Sequence, residues 1–201
     1  LEKVAQFCRQ RQKWSFQSTS VPQVAVLLST ATTWETYDKV YGHPKEYEEM
    51  QGALEAFLDS HFSVDLLAEH QLEKRLDAYP LVIIPNSHKL DPGFRDRLAG
   101  YVQKGGSLFL LGEKSARLFP EMPGVRLKET VREENAELYS TEGMANVNGN
   151  WLQVETGSAR ILAQYFPDRN TRNPGKAAVT VQDWGKGKVA VAYGPLALHY
   201  Y

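Results

Sequence analysis

The chain reads as an α/β protein built on a doubly wound, largely parallel sheet, and three observations predict it. Short apolar runs rich in β-branched residues recur at Val24–Ser29, Ser63–Leu67, Leu81–Pro85 and Ser107–Leu111. That composition suits parallel strands covered on both faces. Amphipathic stretches separate the runs, and the one between the last two carries its own start and stop signals. Asp91 stands at the N-cap, Pro92 at the first helical position, and Gly105-Gly106 end it. Two parallel strands joined by one helix make a right-handed unit. Strand, helix, strand, helix, strand, helix, strand is the order of a flavodoxin-like, three-layer α/β/α sandwich.

Each element has its own justification. Leu1 to Phe16 has the spacing of an amphipathic helix, with Val4, Phe7, Cys8 and Trp14 on or near one face. Either the same domain buries that face, or residues 1–20 are helix and linker from a preceding domain and 21–201 form the α/β domain. The chain starts without a methionine or the charged and apolar regions of a signal peptide. The expectation is a segment of a longer polypeptide, with any signal peptide outside it and the compartment left open. Ala25, Val26, Leu27 and Leu28 bury the first strand. Pro44 opens a helix to about Ser60, with Tyr47, Met50, Leu54, Phe57 and Leu58 on its inner face. A short helix follows at Leu72–Leu76. Phe94, Leu98, Tyr101 and Val102 are the core positions of the Pro92 helix.

After Pro123 the pattern changes to short alternating segments at Glu137–Tyr139, Leu152–Val154, Ile161–Phe166, Ala177–Val181 and Val189–Tyr193. Asn148-Gly149 and Gly185-Lys186-Gly187 have hairpin-turn chemistry. These segments read as antiparallel additions to one sheet edge.

Composition narrows the function classes. A chain of 201 residues can bury a substantial core as one domain. Its 23 basic and 24 acidic residues are balanced and form no basic stripe, which argues against nucleic acid as a partner. No apolar run approaches the roughly 20 residues of a membrane span, so no membrane partner is expected. The single cysteine, Cys8, forms no internal disulfide and does not decide the redox compartment.

In open α/β sheets ligands sit beyond the carboxyl ends of the strands. A hydrolase elbow there carries Ser or Cys on a tight turn flanked by glycines. Here the exit from the Ser107 strand reads Leu111-Gly112-Glu113-Lys114-Ser115, with Glu113 roughly at the nucleophile position. No G-x-S-x-G pattern occurs and Cys8 lies far away in sequence, so no catalytic residue is assigned. His88, after another strand, is placed to approach Glu113 as an acid–base pair. Glu35, Asp38 and Glu113 are acidic loop residues in which a glycosidase-type carboxylate pair would be sought, although such residues are common. The histidines at 43, 61, 70, 88 and 199 lack metal-ligand spacing, and Gly105-Gly106 precede a strand and so cradle no phosphate. Neither metal nor cofactor is expected. The loop TATTWETYDKVYGHP, residues 30–44, gathers Trp34, Tyr37, Tyr41 and His43 past a strand end. Such rings cap a local core, anchor a protein interface or stack on sugar.

The segments LVIIPNSHKL, FRDRLAGYVQKGG and SLFLLGEKS resemble the class I glutamine amidotransferase-like domain of glycoside hydrolase family 42 β-galactosidases, known as the trimerisation domain. VPQVAVLLSTATTWE resembles its first strand and aromatic loop, and DWGKGKVAVAYGP its closing hairpin. The resemblance spans roughly residues 20–119 and 176–195 and leaves 120–175 unassigned. It implies a non-catalytic module behind an N-terminal catalytic barrel in a longer carbohydrate-active hydrolase. The implied partners are that catalytic domain, further copies of the chain, and carbohydrate.

Overall fold

The computed structural model describes residues 2–19, 21–36, 45–167 and 172–200. In chain order its strands are β1 Val24–Leu28, β2 Val64–Ala68, β3 Leu81–Pro85, β4 Ser107–Leu111, β5 Val125–Tyr139, β6 Met144–Thr156, β7 Arg160–Phe166, β8 Lys176–Trp184 and β9 Gly187–Ala192. Its helices are α1 Glu2–Ser15, α2 Thr30–Thr36, α3 Lys45–Asp59, α4 Glu69–Leu72, α5 Pro92–Lys104 and α6 Gly112–Leu118. Short 3-10 turns follow at Leu76–Ala78 and Ala197–His199.

All these strands join one sheet in the order β2-β1-β3-β4-β9-β8-β7-β5-β6. The first five in that order run parallel, and the remaining neighbours pair antiparallel. Alternate residues of the parallel strands serve opposite faces, as the pleat requires. Val24, Val26 and Ile83 pack with Ala53 of α3, while Ala25, Leu27, Val82 and Ile84 pack with Phe94, Leu98 and Val102 of α5. The chain is therefore an α/β protein whose central parallel strands are buried on both faces. A third apolar cluster, around Trp151, Tyr165, Ala163 and Ala178, holds the antiparallel region together.

Four expectations need correction. Val189–Tyr193 is not an antiparallel edge addition: β9 lies in the middle of the sheet, parallel to β4, with Ser107 opposite Lys188. Gly187 allows this approach, because a Cβ there would stand 1.9 Å from the Gly106 carbonyl oxygen. The β8–β9 turn is Gly185-Lys186, with Gly185 at φ 62° and Trp184 opposite Gly187. Asn148-Gly149 makes no turn but lies within β6, opposite Asn135 and Glu134. The hairpin instead closes at Ser140–Gly143, where the Ser140 N–H donates to the Gly143 carbonyl at 3.0 Å. The segments read as short strands at 137–139 and 152–154 are the ends of two long ones, of 15 and 13 residues. The helix expected at Leu72–Leu76 is α4 followed by the 3-10 turn.

On α3, Met50 and Phe57 pack against the sheet as expected, but other positions of the face differ. Gly52 and Ala53 are buried and Leu58 is exposed. Gly52 is there because the carbonyl of Ala197 would lie 1.9 Å from any Cβ. The start of the 30–44 loop is helical, as α2. Tyr37, Asp38, Tyr41 and His43 lie outside the described residues.

Candidate functional site

The parallel strands all end on one side of the molecule, and β3 and β4 set up its centre. Beyond β3, Asn86 takes a left-handed conformation (φ 30°), and its N–H donates to the Leu111 carbonyl at 2.7 Å. Its side chain then works in two directions: Oδ1 accepts from the Lys114 N–H at 3.0 Å, and Nδ2 donates to Glu49 Oε1 at 2.6 Å. Gly112, at φ 82°, opens α6 against this side chain, and a Cβ there would stand 2.3 Å from Asn86 Oδ1. Close approach as well as backbone conformation therefore demands glycine.

Ser115, the hydroxyl nearest the elbow, is fully buried. It accepts from the Ser87 N–H and donates to the Ile84 carbonyl, both at 2.9 Å. The hydroxyl thereby ties α6 to β3. Ser87 is buried too, its hydroxyl donating to Pro85 at 3.1 Å. Beside them lies a cavity of about 360 Å³, lined by Glu49, Asn86, Glu113, Asn150, Pro195 and Leu198. Gly149 and Asn150 bring β6 over this cavity, and Gly149 allows it because a Cβ would lie 3.0 Å from the Pro195 ring.

His88 and Glu113 have different partners. His88 Nε2 lies 3.2 Å from Glu35 Oε2, and Lys89 Nζ pairs with the other oxygen of Glu35. The Lys89 ammonium, and then His88, hold the Glu35 carboxyl below its ordinary range. Glu113 accepts from Arg117 Nε at 3.1 Å, one turn along α6. Arg117 reaches on to the carbonyls of Lys128 and Glu129 in β5, at 3.3 and 3.1 Å. Glu35 and Glu113 are thus each engaged by their own cations. Next to Glu35, Trp34 projects from α2 with 83% of its surface exposed.

The residue that sequence reasoning missed is Glu69. It follows β2, is buried, and turns its carboxylate onto the start of α2. Oε2 accepts from the Thr30 N–H at 2.8 Å and from the Thr30 hydroxyl; Oε1 accepts from Ser29 Oγ at 3.0 Å and the Ala31 N–H at 3.4 Å. An anion at a helix N-terminus is favourable because the unpaired N–H groups point at it. Here the chain supplies that anion itself. The local signal was the cap-rich run Ser29-Thr30-Ala31-Thr32-Thr33, but nothing near Glu69 announces its partner. Among the described residues no group of three or more His, Cys, Asp or Glu side chains is arranged to hold a metal ion. No described helix is long and apolar enough to cross a membrane.

A family model described as the beta-galactosidase trimerisation domain matches residues 22–193. Among solved structures, a GH42 beta-galactosidase from G. stearothermophilus superposes with a TM-score of 0.75 at 18% identity, covering 96% of this chain and 30% of its own. The beta-galactosidase from Bacillus circulans sp. alkalophilus gives 0.76 at 16% identity, covering 98% and 32%. An exo-beta-1,4-mannosidase from Opitutaceae bacterium strain TAV5 gives 0.70 at 16% identity, covering 98% and 35%. The chain therefore spans about a third of the length of these proteins. No curated protein sequence matches it significantly.

Proposed function

The chain belongs to the beta-galactosidase trimerisation domain family, and from that premise we propose that it is a non-catalytic module of a longer carbohydrate-active hydrolase. Its work is to pack against the catalytic domain of the same polypeptide and to hold copies of the protein together. Residues 1–20 are the helix and linker of the preceding part, and 21–201 the module. The fold reading that goes with this is flavodoxin-like and class I glutamine amidotransferase-like. Parallel strands in the order β2-β1-β3-β4-β9 support it.

The observation that carries the non-catalytic reading is the state of the elbow after β4. Where a hydrolase of this architecture carries its nucleophile, this chain has Gly112-Glu113. Glu113 is paired to Arg117, and the hydroxyl of Ser115 is spent on the backbone of β3. In a screen with glutamine, chromogenic esters and aryl glycosides the 201-residue chain should show no turnover. Turnover that disappears in Glu113→Gln or His88→Ala would overturn this reading. Sedimentation of the intact longer polypeptide should show an oligomer, and a monomer at all concentrations would remove the assembly role.

A second reading is carbohydrate contact at the aromatic loop, and the exposure of Trp34 favours it. Oligosaccharides that shift Trp34 fluorescence at millimolar concentration would select it.

A further inference from the structure

Helix α1 presents a problem the module reading can solve. It has 14 residues and none is buried. Isolated helices shorter than ~12–15 residues are marginal in water, and in proteins a packed apolar face normally holds them. The face exists. Val4, Phe7 and Trp14 form a stripe at helical spacing, and Phe16 and Val21 follow it, all exposed. Among the described residues the two rings have local cover: the Arg11 guanidinium lies 3.6 Å from the Phe7 centroid and Lys13 Nζ 4.5 Å from that of Trp14. At the amino end of the sheet, Phe62 and Leu58 add exposed apolar surface beside the β1 entry, where the Ser63 N–H donates to Gln23 Oε1 at 2.7 Å.

Two observations bear on what would cover the stripe. Helix α1 precedes the family-matched segment, which begins at residue 22. Yet superposition on solved chains about three times longer takes in 96–98% of this chain, a share too large to leave the helix out. A segment in this position thus recurs in proteins where two thirds of the polypeptide lies outside the module. The second observation is charge. Lys3, Arg9, Arg11 and Lys13 stand against Glu2 alone. A basic helix with an aromatic stripe is complemented by an apolar groove with an acidic rim.

We propose that the Val4–Phe7–Trp14 stripe of α1 docks in such a groove on another domain of the same longer polypeptide. This rests on the reading of the chain as a module. It assigns the amino end of the sheet to the intramolecular partner and leaves Trp34 and the carboxyl end free for other contacts.

Hydrogen exchange read by mass spectrometry tests this on the intact polypeptide and on the 201-residue chain side by side. Peptides from residues 2–16 should exchange about tenfold or more slowly in the intact protein, where docking must be undone before exchange. In the short chain they should exchange at nearly unstructured rates. Phe7→Ala with Trp14→Ala should abolish the protection while peptides from β1 to β4 remain unchanged, which separates lost docking from lost folding. Equal, fast exchange in both proteins would overturn the proposal. Protection in the monomeric short chain would overturn it by showing that the domain covers the helix itself. Protection appearing only at high concentration of the short chain would overturn it in favour of a second copy. If the protein made in its native cells has the mass of the 201-residue chain, the module reading fails and takes this inference with it. Failure of the exchange result alone leaves that reading standing.

Discussion

Ser115 and Glu35 are both held by partners at the carboxyl end of the sheet. The Ser115 hydroxyl joins an N–H of one segment to a carbonyl of another in a fully buried position. Ser115→Ala leaves both backbone groups without that partner, which costs about 1–3 kcal/mol. Urea unfolding should show the loss as a lower midpoint at unchanged slope, and an unchanged midpoint would contradict the bridging role. Glu35 is exposed, and its carboxyl is held below the ordinary glutamate value of 4.5, first by Lys89 and then by His88. A folded-state pKa below the unfolded one adds stability above the unfolded value, and that stability is lost as pH falls through the folded one. The contribution is screened by water, so the signature is local. The Glu35 side-chain carbon, followed by NMR, should titrate below 4.5, and Lys89→Met should move the midpoint upward.

At the scale of elements, glycines decide which parts may touch. Alanine in place of a solvent-facing mid-helix glycine normally stabilises by about 1 kcal/mol. Gly52 in α3 reverses that sign, because a Cβ there meets the Ala197 carbonyl at 1.9 Å. Gly52→Ala should force α3 away from the Ala197–His199 turn and cost about 1–3 kcal/mol, in the range of overpacked cores. Thermal unfolding checks the sign, and a more stable variant would mean the contact is not made. The same logic applies to β9, where a Cβ on Gly187 would meet the Gly106 carbonyl at the start of β4.

For the whole molecule the question is which surface meets which partner. Trp34 is 83% exposed and therefore contributes little to the core. If it anchors the assembly of the intact protein, Trp34→Ala should weaken assembly by about 2 kcal/mol or more, roughly thirtyfold in dissociation constant. The melting temperature of the 201-residue chain should stay the same. Sedimentation and calorimetry read the two effects separately. A large drop in melting temperature with assembly intact would make Trp34 a structural residue instead.

The sequence by itself determined four of the five parallel strands and missed β9 as the fifth. The strands β1 to β4 are encoded by contiguous apolar runs, and α5 by a cap that the structure repeats, with Asp91 Oδ1 accepting from the Phe94 N–H at 3.1 Å. It also placed Trp34, His88 and Glu113 beyond strand ends, because a strand end is a local property. Tertiary structure alone decided their partners. His88 meets Glu35 and not Glu113, and Glu69 caps α2 from just beyond the end of β2, a contact between residues 39 apart. It also overrode the turn chemistry of Asn148-Gly149. Local preference for a turn was outweighed there by a long ladder to β5 and by the close approach of Pro195 to Gly149. Local signals specify which segments become strands and helices. Register, strand neighbours and side-chain partners depend on contacts between distant residues, which no window of the sequence contains.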